Sequence, residues 1–100
     1  MTKTKTKTKA RAVLVTTEHR GVFFGRTRNS RGKVIVLQGA RNCIYWSQDV
    51  GGFLGLASRG PTANCRIGAV APLVELRGVT SVSDVTPEAT RAWDTAPCVS

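Results

Sequence analysis

The sequence predicts a mostly β protein, a compact antiparallel sheet or small barrel with one short C-terminal helix. Three observations point there. Short β-branched and aromatic runs recur between turn signals, at Ala12–Thr17, at Val22-Phe23-Phe24 and at Val34-Ile35-Val36-Leu37. Residues 73–85 carry the clearest apolar alternation. Only 86–97 has the start, stripe and stop of a helix.

Along the chain, Ala12–Thr17 is the first strand and Arg20–Arg28 contains the second. Asn29-Ser30-Arg31-Gly32 is a turn signal, and the apolar run within Lys33–Gln38 completes a hairpin. Four consecutive apolar residues suit a strand covered on both faces. Cys43–Ser47 is a further short strand. Residues 50–57, VGGFLGLA, hold three glycines in eight positions, a poor helix composition, and are expected as irregular or bent extended chain. Arg59-Gly60-Pro61-Thr62 turns, and Asn64–Ala69 is another strand candidate.

In Leu73–Val85, Val74, Leu76, Thr80 and Val82 share one parity, with Gly78 at a bulge or bend between them. Thr86 caps the final helix, Pro87 suits its first turn, and Glu88 complements the positive helix end. Ala89, Ala92 and Trp93 form one narrow apolar stripe. An isolated helix needs roughly 12–15 residues, so this one requires an anchor, and Trp93 is the natural choice. Pro97 ends it.

Charge divides the chain unevenly. Fifteen Lys or Arg oppose six Asp or Glu, a net charge of +9. Five of the positives, Lys3, Lys5, Lys7, Lys9 and Arg11, lie in the first eleven residues, leaving ten basic and six acidic residues in 12–100. The threonine–lysine alternation of residues 2–9 has no apolar face to bury, so 1–10 is expected as a disordered basic arm before a single β-rich domain, 11–100. An excess of cations favours a phosphate-bearing partner. No stretch is long and apolar enough for an export signal or a membrane span, so a cytoplasmic protein with reduced thiols is expected, with no membrane partner.

The richest segment is 39–68, which holds six of the ten glycines, Tyr45 and Trp46, three arginines and two of the three cysteines. Catalytic and metal chemistry find little there. His19 and Cys43 have no spacing that demands a thiol dyad, and the carboxylates are scattered. His19, Cys43, Cys65 and Cys98 lack the short knuckles of a zinc site. Neither an enzyme, a metal site nor a cofactor is expected. Gly51-Gly52-Phe53-Leu54-Gly55 lacks a Walker lysine, but glycine-freed amides near arginines suit an anion. The candidate ligand-binding residues are therefore Arg41, Tyr45, Trp46, Gly52, Gly55, Arg59 and Arg66, with Lys3, Lys5, Lys7, Lys9 and Arg11 as a nucleic-acid arm. Adjacent on a strand, Tyr45 and Trp46 face opposite sides, so one can pack while the other stacks on a base. Arg20, Arg26 and Arg28 share a parity and could line a second basic face. The competing reading makes the glycines a means of close packing, in the core or between subunits.

Several phrases also carry a family likeness: HRGVFFG at 19–25, ARNCIYWS at 40–47, GFLGLA at 52–57, and GPT with CRIG at 60–68. VTSV at 79–82 then leads into TPEA at 86–89 and Trp93. Over roughly 18–97 the chain resembles a family of short uncharacterised single-domain proteins found in bacteria, phages and mobile elements. The resemblance implies a small accessory protein and supplies no reaction or ligand. The combined expectation is a non-catalytic binder of a nucleotide-like molecule or nucleic acid, in the host cytoplasm if phage-borne. The alternative is a structural or interaction module forming a homo-oligomer or virion-associated assembly.

Overall fold

The computed structural model describes residues 10–18 and 21–98. The lysines of the arm, His19 and Arg20 lie outside the described residues. Among the described residues, six strands and two short helices follow in order: β1 (Arg11–Thr17), β2 (Val22–Thr27), β3 (Ile35–Tyr45), α1 (Gly52–Ser58), β4 (Arg66–Ile67), β5 (Ala71–Leu76), β6 (Val79–Asp84) and α2 (Pro87–Thr95). A single 3-10 turn, Gln48–Val50, precedes α1.

All strand pairings are antiparallel, in the order β4-β3-β2-β1-β6, with β5 on the same side of β3 as β4. β4 and β5 thus form one interrupted edge, and β6 forms the other. Only Arg77 and Gly78 separate β5 from β6, so the chain passes between the two edges within two residues. That is possible only because the sheet curls strongly. It does not close. Curling buries an inner face of Val13, Val15, Ile35, Leu37, Ala40 and Leu76, with Val79 and Val82 from β6 packed against it.

The helices cover the other face. Leu14, Val22, Phe24 and Cys43 from the sheet meet Val50, Leu56, Ala89 and Trp93. Trp93 is fully buried and lies parallel to Phe24, ring centroids 5.1 Å apart. Burying each large side chain contributes about 1.5–3 kcal/mol, enough to hold a helix of nine residues that water alone would unravel. The predicted cap is in place: the Ala89 amide donates to Thr86 Oγ1 at 3.1 Å.

Five local expectations are corrected. Residues 52–58 are helical, because tertiary contacts override their weak propensity. Leu56 is fully buried, its carbonyl accepts from Trp93 Nε1 at 3.0 Å, and the Ala57 carbonyl accepts from the Thr86 amide at 3.0 Å. Val34-Ile35-Val36-Leu37 is not covered on both faces: Ile35 and Leu37 are buried, while Val34 and Val36 remain exposed. Cys43–Ser47 is not a separate strand, since β3 runs through a bulge into it. The 64–69 strand shrinks to Arg66–Ile67, because a turn closed by the Cys65 amide on the Thr62 carbonyl (3.0 Å) holds its first residues. The corner at Gly78 also breaks the parity read across 73–85, so that Val79 packs inward and Thr80 is exposed.

Candidate functional site

The 39–68 segment is built around a bulge. Gly39 has φ +59°, a left-handed backbone that other residues rarely adopt, and the β2–β3 register shifts by one there. The shift turns Arg41 and Cys43 to the helix-covered side. Arg41 is only 4% exposed. Its Nε donates to the Gly68 carbonyl at 2.9 Å, and one terminal nitrogen donates to the carbonyls of Trp93 and Ala96, each at 2.7 Å. These two carbonyls close α2, where a cation also meets the negative end of the helix dipole. All of Arg41's contacts are therefore internal.

Gly55 serves packing. A Cβ on Gly55 would stand 1.5 Å from the Val50 carbonyl oxygen, so the 3-10 turn rests directly on α1 at this point. Gly52 is exposed at the start of α1, with nothing near its missing side chain. Arg59 folds back to donate to the Val50 carbonyl at 3.2 Å, although its surface stays exposed. Ahead of α1, Asp49 accepts from Ser47, from Thr62 at 3.3 Å and from Asn64 at 3.2 Å. These hydrogen bonds, chiefly that of Ser47, hold its carboxyl below the usual carboxylate range. A fixed negative charge there works against anion binding.

Of the aromatic pair, Tyr45 is 53% exposed, whereas Trp46 packs against the helix-side core. Tyr45 lies opposite the exposed Arg66 across the β3–β4 pairing. The structure brings these two together at one edge and takes Arg41 away from them.

The three cysteines border one short strand. Ile67 pairs with Cys43 on one side and bridges to Cys98 on the other, with Cys65 two residues before it. All three are free thiols. Burial, reinforced by the neighbouring Cys65, pushes the Cys43 thiol up to about 12, so it is un-ionised at neutral pH and a poor nucleophile. Among the described residues, no group of three His, Cys, Asp or Glu side chains is placed to hold a metal ion. No helix among them is long and apolar enough to cross a membrane.

The cations gather elsewhere, at the turn end of the β2–β3 hairpin. Arg28, Arg31 and Lys33 are exposed there, and their side chains make no hydrogen bond or ion pair among the described residues. Arg26 is held by Asp94 through two bonds, of 3.2 and 2.8 Å, and lies over Phe24. Arg11 begins β1 opposite Thr27 and pairs with Asp84 at 3.3 Å, so the arm joins the fold at this same end. Sequence reasoning marked Arg26 and Arg28 but missed Arg31, Lys33 and the exposed valines. Four basic residues and no acidic one within the eight positions 26–33 were the available signal.

A family profile described as a domain of unknown function, DUF6948, matches residues 10–93, from the start of β1 to the buried Trp93. The chain belongs to the DUF6948 family. The matched span takes in the whole sheet and both layers of its core. Neither a curated protein nor a solved structure matches the chain.

Proposed function

We propose that this DUF6948 protein is a non-catalytic binder of phosphate-bearing ligands, nucleic acid foremost. Its contact surface is the basic hairpin end rather than the glycine-rich segment. The observation that carries the reading is the cluster of Arg28, Arg31 and Lys33, exposed and unneutralised by described residues, at the end where the arm joins β1. Cations without internal partners can release counterions from a phosphate chain, whereas Arg41 cannot without unmaking the end of α2. Tyr45 and Arg66 offer a secondary contact, one aromatic face beside one guanidinium. The accompanying setting is an accessory protein of a phage or mobile element acting in the host cytoplasm.

Fluorescence anisotropy with labelled oligonucleotides and nucleotides at two salt concentrations tests this. Binding should weaken steeply with salt. Replacing Arg28, Arg31 and Lys33 together by alanine should lower the log–log salt slope by about 2, at ~0.7 per phosphate contact on a single strand. No binding to either class at low salt refutes the reading. A second reading, self-association, draws on the exposed Ile44, Leu54, Val70 and Leu73 and on the open β5 edge. Sedimentation of the full chain measures it directly.

A further inference from the structure

The helix layer does not cover the whole outer face of the sheet. α2 shields it as far as Phe24, where Trp93 stacks, and Asp94 then clamps Arg26 at the margin. Beyond that margin lies an open pocket of about 290 Å³ whose lining includes Arg26, Arg28, Asn29, Val34, Val36 and Gln38. Arg26 stands directly opposite Gln38, and the same antiparallel register carried two residues on sets Arg28 opposite Val36. Cross-strand partners share a face, so two guanidinium groups flank a floor of aliphatic side chains and an amide. Val34 and Val36 are 41% and 37% exposed, while Ile35 and Leu37 between them are sealed in the inner core. On the far side Val36 faces Glu75, whose carboxylate is paired to Arg77 at 3.3 Å. The net charge around the valines is therefore positive.

We propose that this pocket receives an unstacked base of a single-stranded nucleic acid. The inference rests on the basic-surface reading above and adds the strand form. A duplex presents phosphates to cations but keeps its base faces stacked, leaving the valines nothing to cover. A single strand offers both. Its phosphates meet Arg28, Arg31 and Lys33, and one base lies on Val34 and Val36 with a guanidinium plane against it. Asn29 and Gln38 carry amide donors and acceptors suited to a base edge. Without an aromatic platform, the preference for single strand over duplex should be moderate, on the order of tenfold.

Anisotropy with a labelled 12-nucleotide single strand and its duplex, at two salt concentrations, reads that preference on the full chain. The double substitution Val34→Ser and Val36→Ser should abolish the preference while leaving duplex affinity within about twofold. Thermal melting checks that this variant folds. Amide NMR shifts on adding the single strand should fall on residues 34–38 and 26–29, which locates the contact independently of any substitution. Equal affinity for both forms overturns this proposal and leaves the basic-surface reading standing. A preference that survives the double substitution, or shifts confined to Tyr45 and Arg66, overturns it as well. If neither form binds at low salt, both readings fall. A dimer that the valine substitutions dissociate assigns the face to a second copy of the chain and overturns the proposal.

Discussion

Arg41→Met separates structural cations from ligand-binding ones. Methionine preserves most of the side-chain volume, so the change removes donors without opening a large cavity. Three carbonyls, those of Gly68, Trp93 and Ala96, lose their partner. Each buried acceptor left unsatisfied costs about 1 kcal/mol or more, giving about 3 kcal/mol in all, with some return from no longer burying a charge. For a chain of this size, 1 kcal/mol moves the melting temperature by about 4–8 °C, so the expected fall is about 12–24 °C. Circular dichroism melting of the two proteins under identical buffer measures it. Arg28→Ala should behave oppositely, with an unchanged melt and weakened, less salt-sensitive oligonucleotide binding. A melting temperature for Arg41→Met within about 3 °C of the parent, accompanied by lost oligonucleotide binding, refutes the assignment of Arg41 to the helix layer.

Other outcomes follow from the same geometry. Trp93→Ala should cost about 3–5 kcal/mol by emptying the seam between α2 and the sheet, whereas Trp93→Phe should lose less by keeping an aromatic partner for Phe24; denaturant midpoints rank them. Gly55→Ala should destabilise by about 1–3 kcal/mol or more, since its methyl group meets the Val50 carbonyl rather than a movable side chain. Cys43 ties stability to alkaline pH. Its thiol ionises near 9.0 when unfolded and near about 12 when folded, so the native state holds the proton longer and stability falls as pH rises between those values. Cys43→Val should flatten that part of the curve, and a maleimide should label Cys98 well before Cys43. Deleting residues 2–9 should leave the melt cooperative and reduce the log–log salt slope of oligonucleotide binding by about 3.

Periodicity and turn chemistry determined much of this fold directly from sequence. The β1 and β2 strands, the 29–32 turn and the capped α2 with its buried tryptophan need only local rules, because each signal sits within the element it defines. Local rules also made the exposed cations visible as a charge excess. They did not assign roles to individual arginines. Arg41 and Arg28 have the same chemistry in sequence, and only the one-residue bulge at Gly39 turns the first under α2. The fold of 52–58 was likewise illegible, since its helix depends on Leu56 burial and on hydrogen bonds from Trp93 and Thr86, residues about thirty to forty positions away. Val34 and Val36 looked like core because an apolar run does not reveal where a covering layer stops. The sequence by itself determined that this is a basic β domain with an anchored terminal helix. Tertiary structure alone decided which cations close helices and which meet solvent, because burial depends on contacts between segments distant in the chain.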